Sequence, residues 1–502
     1  ETVEDLLAEP NGGCWRITGV RVADGTVYRA GAVVLSAGTF MRGLLHVGEA
    51  TMPGGRMGES TTDGLSRALE RLGLRLARFK TGTPPRLNGR TIDYEEVELQ
   101  PGDEHPEPFS FLTDEIRQPQ LPCWVTYTTP AVHELIRANL HRAPMYTGQI
   151  QSAGPRYCPS IETKVVRFAD RPRHQLFIEP EGRHTHEVYL NGLSTSLPRD
   201  VQEAMVRRIP GLAHVEILRW GYAIEYDYVP PDQLQPSLET RSVAGLFLAG
   251  QVNGTTGYEE AAGQGLLAGV NAALGLQGKE PLVLRRDEAY LGVMIDDLVS
   301  RSVDEPYRMF TSRAEYRLLL RGDNADRRLT PLGQRLGLIS PHRWDSLQAK
   351  LAQIAEVTQL LDATRVEGLS LAQRLRRTEV AWEDVARHLP TPQHVSDEVA
   401  RQITYDAKYS GYAARQQVQI ERHRRLASRV VPADLDFGSI EHLRAEAREK
   451  FARNRPKDLY HASLISGITP ADMVILLAHI DHPIRRGRKT VESNGLKGQD
   501  LY

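Results

Sequence analysis

The richest chemistry in the chain lies in Leu248-Ala-Gly-Gln-Val-Asn-Gly-Thr-Thr-Gly-Tyr-Glu-Glu-Ala-Ala-Gly-Gln-Gly265. An apolar run leads into a loop of Gly, Asn and Thr, and a helix of small residues follows. Glycines let backbone approach a ligand closely. The first N–H groups of a helix lack intrahelical partners and favour negative charge. The same pattern also fits an ordinary strand-turn-helix. A second segment, Lys80-Thr-Gly-Thr-Pro-Pro-Arg86, combines two cations, two hydroxyls and a stiff Pro-Pro corner. It suits an anionic ligand, and equally a surface turn leading into another domain.

The third segment is Gly154-Pro-Arg-Tyr-Cys-Pro-Ser-Ile-Glu162. Pro159 suits the first position of a helix, which places Cys158 at the N-cap. Ile161, Val165 and Phe168 would then share one face. A thiol at a helix start, with Arg156 and Lys164 near in sequence, would have a depressed pKa and act as a thiolate; a buried inert Cys is the alternative. Cys123 reads as core and Cys14 as structural. His184 and His186 could ligate metal from one strand face, but no third ligand stands at a sensible spacing, so a strand surface is the preferred reading. Arg313, Arg317 and Arg321 recur every four residues. In a helix Ser312–Leu320 they make a basic stripe that could grip phosphates, or pair with Glu315 and Asp323.

These residues need elements to hold them. Glu1–Ala8 reads as helix-like. Trp15–Val22 and Thr26–Ala30 flank the turn Ala23-Asp24-Gly25 as a hairpin. Gly31–Gly38 is a continuous apolar run that suits a strand buried on both faces of a parallel sheet. Asp63–Leu72 reads as a helix closed by Gly73. From about Arg86 to Pro231 prolines are dense and strands short, at Gln175–Ile178 and Glu187–Leu190, which marks a mixed domain inserted into the first. The parallel pattern returns with the strand Gly245–Gly250 and the helix Glu259–Leu274. After Pro281 helices dominate: Glu288–Val299, Trp344–Leu361, Ser396–Arg425, Ile440–Phe451 and Pro470–Ile480. The last has Thr469 at N-cap, Pro470 at N1 and Asp472 at N3.

Composition is that of a globular protein: 502 residues, 40% hydrophobic, 25% charged and net charge −2. From Glu421 to Tyr502 fifteen Lys+Arg face eleven Asp+Glu, a local +4 that leaves −6 for the rest. That fits a polyanionic partner or a solvated helical face. Three cysteines with no CxxC pair argue against a disulfide framework and a structural zinc site. The chain starts with Glu1 and runs quickly into strands, which reads as a missing front end.

In order along the chain, Gly54-Gly-Arg-Met-Gly58, Lys80–Arg86, Pro144-Met-Tyr146, Gly154–Glu162, Ile178–Gly182, Gly221–Tyr228, Ala249–Glu260, Glu305–Arg317, Lys408–Tyr412 and Ser463–Pro470 resemble the glucose-inhibited division protein A (MnmG/GidA) family. The resemblance covers essentially the whole chain. It implies an α/β fold: a Rossmann-like FAD-binding domain, N-terminally incomplete because no GxGxxG opening is present, an inserted mixed α/β domain, and an all-α C-terminal region. The boundaries expected are 1–85 and 233–280 for the FAD domain, 86–232 for the inserted NADH/substrate domain, 281–425 for a helical domain, and 426–502 for a bundle that docks partner and tRNA.

The resemblance also implies function. FAD, NADH and 5,10-methylenetetrahydrofolate would support addition of an aminomethyl or carboxymethylaminomethyl group to C5 of tRNA uridine 34. A partner GTPase (MnmE), a homodimer, a heterotetramer with the GTPase and a cytoplasmic location come with it. Gln251, Asn253, Gly254, Thr255, Thr256 and Gly257 would rest against the flavin, whose reduced pyrimidine suits a helix start. Gly54, Gly55, Arg56, Thr62, Lys80, Thr81 and Gly82 join the cofactor set. Gly154, Pro155, Arg156, Tyr157, Pro159, Ser160, Ile161, Glu162 and Phe168 would line the NADH side, with Cys158 catalytic. The alternatives are a folate- and FAD-dependent tRNA uridine C5-methyltransferase (TrmFO), against which the helical tail of about 200 residues argues, and a flavin-free remnant that only docks partner and tRNA.

Overall fold

The computed structural model describes residues 1–155, 159–300, 305–389, 395–465 and 467–481. Two units are compact in themselves, Glu1–Ala413 and Ala414–Tyr502.

The first unit opens with β1 (Val3–Asn11), β2 (Cys14–Val22) and β3 (Val27–Arg29), an antiparallel meander. The expected helix at Glu1–Ala8 is therefore a strand. Cross-strand pairing from Val3↔Val22 to Asn11↔Cys14 overrides local helix propensity. The apolar run 31–38 supplies only β4 (Val33–Leu35), and Val34 is 38% exposed, so the strand is not buried on both faces. Then come β5 (Leu44–Val47), β6 (Ala50–Pro53), helix α1 (Gly64–Arg71) and β7 (Ala77–Thr83). Gly73 at φ +85° closes α1 as expected.

Residues 86–219 build a six-stranded antiparallel sheet of their own. Its strands are β8 (Arg86–Asn88), β9 (Glu98–Gln100), β10 (Cys123–Tyr127), β11 (Gln175–Pro180), β12 (Glu187–Asn191) and β13 (Ile217–Arg219), in the order β13-β8-β12-β11-β10-β9. Helices α2 (Pro130–Ala138), α3 (Ile161–Arg167) and α4 (Arg199–Val206) join it. Leu87, Ile136, Ile161, Val165, Leu176, Ile178 and Leu190 fill one core, each fully buried. At about 1.5–3 kcal/mol per buried side chain of this size, such a cluster outweighs the weak propensities of its short strands. The chain returns through β14 (Tyr222–Tyr228), which pairs with both β5 and β7.

Next, β15 (Val243–Ala244) joins β2, and β16 (Leu246–Leu248) lies parallel to β4. Helix α5 (Tyr258–Leu276) follows, then α6 (Tyr290–Ser300). This parallel pair, its loop and its helix are the Rossmann-like part of the fold. A second core of Leu6, Ile17, Met41, Leu69, Leu246, Leu248, Val252, Leu298 and Tyr307 surrounds it.

The helical part contains α7 (Ala325–Arg335), α8 (Pro341–Ala363), α9 (Leu371–Leu375), α10 (Trp382–Ala386) and α11 (Asp397–Ala427), and among the described residues a short hairpin, Arg365–Val366 with Leu369–Ser370, departs from all-α. Residues 312–320 form the end of a short 3-10 turn and then further turns instead of the expected helix. In the second unit α12 (Ala445–Asn454), α13 (Leu459–Ser463) and α14 (Pro470–Asp481) enclose Phe437, Leu443, Phe451, Leu459 and Leu476. The α14 start is as read: Asp472 N–H donates to Thr469 Oγ1 at 3.3 Å and Thr469 N–H to Asp472 Oδ2 at 2.8 Å. Met473, Ile475, Leu477 and Ile480 pack on that core, and Val474 is the residue left 65% exposed. The apolar residues of α14 thus go mostly into their own bundle. The flanking cations Arg485, Arg486, Arg488 and Lys489 lie outside the described residues.

Candidate functional site

The parallel strands β4 and β16 end side by side, and their following residues stay joined. Ala249 N–H donates to Leu35 O at 3.0 Å, and Val252 N–H to Ala37 O at 2.9 Å. Residues Gly250–Asn253 turn as a 3-10 helix, Gly254 takes φ +73°, and α5 begins after Gly257. The loop therefore sits where open α/β sheets bind ligands, beyond the carboxyl ends of parallel strands.

Gln264 of α5 ties this loop from beneath. Its Oε1 accepts from Gly250 N–H at 2.8 Å and Asn253 Nδ2 at 3.2 Å, and its Nε2 donates to Thr255 Oγ1 at 2.8 Å. Asn253, Thr255 and Gln264 are buried completely. Asn253 Oδ1 is a buried acceptor with no partner. Gln251 lies against Gly38: a Cβ there would stand 2.1 Å from Gln251 Oε1. Thr256 is half-buried beside them.

The start of α5 holds the chain's own carboxylate. Glu260 Oε1 accepts from Met309 N–H and pairs with Arg308 Nε, both at 3.1 Å, and a Cβ on Gly257 would strike Glu260 Oε2. The negative charge that a helix start favours is thus supplied internally at this point.

Gly54 and Gly55 form a buried corner. Gly54 N–H donates to Gly43 O at 3.0 Å, Thr39 Oγ1 to Gly55 O at 2.7 Å, and the Phe40 ring fills the place of a Gly55 side chain. Arg56 is exposed beside Glu59 at 3.6 Å. Thr62 Oγ1 is buried without a partner.

Lys80, Thr81 and Gly82 lie within β7, not in a surface turn, and Lys80 is 5% exposed. Arg86 serves structure: it pairs with Glu181, donates to Thr83 Oγ1 and Pro84 O, and stacks on Tyr189. The structure does bring β7 to the Gly250–Gly257 loop. Phe79 and Tyr228 stack at 3.8 Å beneath Gly254, and Lys80 N–H donates to Ala153 O at 2.9 Å. Gly154 lies over the Lys80 side chain, and Pro155 follows half-buried.

Cys158, Arg156 and Tyr157 lie outside the described residues. The helix after them starts later than read: Ser160, not Cys158, is the N-cap of α3, and its Oγ accepts from Thr163 N–H at 3.4 Å. A hydroxyl is the better acceptor at this position, so Pro159 precedes the helix. Ile161 and Val165 are fully buried, but Phe168 is the C-cap and 48% exposed, off the expected face. Glu162 is 1% exposed. Its Oε1 accepts from Thr195 Oγ1 at 2.7 Å and Ser196 N–H at 3.0 Å, while Oε2 is unpartnered.

Other readings change. His184 and His186 are exposed in a turn before β12, and among the described residues no cluster of His, Cys, Asp or Glu could hold a metal. Cys123 is half-buried, with burial raising its thiol pKa. Arg313 stacks on Tyr307 at 4.7 Å and pairs with Asp297 at 3.5 Å, and Arg321 pairs with Asp323 and Asp406, so the arginines do not form one stripe. Among the described residues no helix is long and apolar enough to cross a membrane.

Sequence reasoning missed a buried network at this site. His46 Nε2 meets Glu225 Oε2 at 3.1 Å, Gln149 Nε2 meets His46 Nδ1 at 2.9 Å, and Ser152 Oγ donates to Glu225 Oε1 at 2.5 Å. Burial works to raise the Glu225 pKa, but hydrogen bonds from His46 and Ser152 prevail and hold it at about 2. His46 and Glu225 are 179 residues apart, so no spacing pattern could reveal the pair.

A Rossmann-like pair of parallel strands with a Gly/Asn/Thr loop at their carboxyl ends, interrupted by a mixed domain and continued by helices, places the chain in the dinucleotide-fold α/β class. The profile described as "Glucose inhibited division protein A" matches residues 1–280. The MnmG/GidA C-terminal helical domain and helical bundle match 341–417 and 419–500. A protein of Rhodopirellula baltica named tRNA uridine 5-carboxymethylaminomethyl modification enzyme MnmG is 55% identical over 96% of this chain and 76% of its own length. One of Listeria monocytogenes with the same name is 50% identical over 95% and 78%. The crystal structure of Aquifex aeolicus GidA (form II) superposes with a TM-score of 0.84 at 44% identity, covering 96% of this chain and 79% of that one. The chain belongs to the MnmG/GidA family.

Proposed function

We propose that this chain is a flavin-dependent tRNA-modifying enzyme that adds a (carboxymethyl)aminomethyl group to C5 of the wobble uridine, using FAD, NADH and 5,10-methylenetetrahydrofolate. Identity of 55% to a relative named for that modification carries the reading. The loop geometry supports it. The fold supplies a ligand position beyond β4 and β16, and the buried acceptor Asn253 Oδ1 in its loop lacks an internal partner. Such an acceptor fits the N–H and O–H donors of a flavin nucleotide.

A bound flavin supplies electron transfer between the reduced dinucleotide and the one-carbon unit. The chain's own residues do the rest. Gln264 fixes Gly250, Asn253 and Thr255 into one rigid loop, so little ordering is left for binding. Gln251, half-buried against Gly38, orients a ring placed beside it. Gly154–Phe168 forms the wall on the dinucleotide side, and Cys158 is the nucleophile. Residues 1–85 and 233–280 serve as the flavin domain, 86–232 as the dinucleotide domain, and 281–425 and 426–502 as the helices that meet tRNA and a GTPase partner, with the enzyme working as a homodimer in the cytoplasm.

The test is a visible spectrum. The purified chain mixed with FAD should retain a flavin band through gel filtration, and NADH should bleach it. A double substitution Gln251→Ala, Asn253→Ala should lower flavin occupancy. Retention equal to that of the unaltered chain would remove the loop from the site.

A further inference from the structure

We infer that Glu225 and His46 are a positioning pair that fixes the strap Gln149–Gly154 across one face of the sheet β6-β5-β14-β7 and so sets the wall against which the nicotinamide dinucleotide rests. The last clause depends on the proposed role of residues 154–168; the clamp itself does not.

The sheet has two unlike faces. Register pairs Glu225 with Lys80 of β7 and with Leu44 of β5, and Ala223 with His46. Alternation along the strands then puts Lys80, Glu225, His46, Arg78 and Asp227 on one face, and Phe79, Tyr226, Tyr228 and Ile224 on the other. The aromatic face packs toward Gly254 and its loop. The charged face is the one the strap covers. His46 is 1% exposed and Glu225 8%.

The strap is held along most of its length. Gln149 donates to His46 Nδ1, which assigns the ring proton to Nε2, and that N–H donates to Glu225 Oε2. Ser152 donates to the other carboxylate oxygen. Ala153 O accepts from Lys80 N–H, adding the strap to the edge of β7. At Gly154 a side chain would stand 2.8 Å from Lys80 Cε, so the strap lies directly on the lysine and a larger residue would make its flexible end shift.

A cheaper cover was open to the fold. An apolar strap over an apolar sheet face avoids the cost of burying a charge. A carboxylate with each oxygen matched to one donor instead selects a single register. That register fixes where Gly154 and Pro155 enter the next segment. Glu225 and His46 touch no ligand position themselves. Their effect passes through the strap.

The full chain is used for the test, with variants Glu225→Leu, Glu225→Gln, Ser152→Ala and Gln149→Ala. Amide hydrogen exchange reads the clamp, and NADH affinity, from its fluorescence on binding, reads the wall. Glu225→Leu should speed exchange at Lys80 and across 149–154 by about tenfold or more, with α8 unchanged. NADH affinity should fall about tenfold, a loss of ~1.4 kcal/mol. Glu225→Gln should restore part of both, because its amide oxygen still accepts one donor. If Glu225→Leu does not fold, Ser152→Ala and Gln149→Ala, which remove one donor each, must show the same two changes in smaller measure. Unchanged exchange in these variants overturns the clamp. Faster exchange with unchanged NADH affinity overturns its role in setting the wall. If the unaltered chain binds no NADH, the proposed function falls, and exchange alone decides the clamp.

Discussion

The backbone N–H of Tyr307 donates to the carbonyl of Gly254 at 2.8 Å, so the segment opening the helical region is hydrogen-bonded to the loop beyond β16. Tyr307 is 4% exposed, and its hydroxyl donates to Asp297 Oδ2 at 3.2 Å. Burial and the Asp297 carboxylate hold that hydroxyl well above the usual tyrosine pKa. It therefore remains a donor throughout the working range. Tyr307→Phe should cost about 1.5–3 kcal/mol, the net worth of a hydrogen bond to a charged group. Tyr307→Ala should cost about 3–5 kcal/mol and loosen the loop. Denaturant titration separates them; equal losses would mean that the ring contributes nothing.

Arg286 is the centre of the ionic cluster beneath Tyr307. It is 6% exposed and reaches Asp297 at 2.6 Å, Glu315 at 2.8 Å and Asp296 at 3.2 Å. Burial acts to lower its pKa, but the three carboxylates prevail and raise it. Arg286→Met removes the cation that these carboxylates share and should cost about 3–5 kcal/mol. Adding Asp297→Asn should recover part of the loss in a double-mutant cycle. Simple additivity would show that the two do not interact.

Acid should weaken the inserted domain through His133 and His174. Their rings lie 5.1 Å apart, and His133 Nε2 meets Thr128 Oγ1 at 2.8 Å. Burial depresses both pKa values below the ordinary 6.5. As pH falls through that value the unfolded chain takes up protons that the folded chain refuses, so stability is greatest above it and declines below. The melting midpoint should drop between about pH 7.5 and 5.5, and His174→Asn should flatten the decline. An unaltered pH slope in that variant would clear the pair of this role.

Gly38→Ala tests the close approach at the loop. The new methyl group would displace Gln251 from its place 2.1 Å away. Flavin retention should fall while the melting midpoint shifts by only a few degrees, since the clash is with the end of a flexible side chain. Full retention would mean that the Gln251 position is irrelevant to binding.

Local signals were legible where one segment carries the whole cause. The β16-loop-α5 unit, the Thr469-Pro470-Asp472 helix start and the Gly73 stop all stand where their residues indicate. Errors arose where distant partners decide. Residues 3–8 are a strand because β2 pairs with them. Residues 312–320 are not a helix: Arg313 is drawn to Asp297 and Tyr307, and Arg286 holds the Arg313 carbonyl at 3.0 Å. Ser160, two residues after Cys158, is the N-cap because its hydroxyl is the better acceptor. The His46–Glu225 network joins β5, β14 and residues 149–152, and no local pattern marks it.

The wobble uridine itself gives the most direct test, by mass spectrometry of tRNA nucleosides from the source cells with the gene disrupted and then restored. C5-(carboxymethyl)aminomethyl uridine at that position should disappear on disruption and return with the unaltered gene, but return poorly with Gln251→Ala, Asn253→Ala. Wobble uridines that keep the modification after disruption would contradict it.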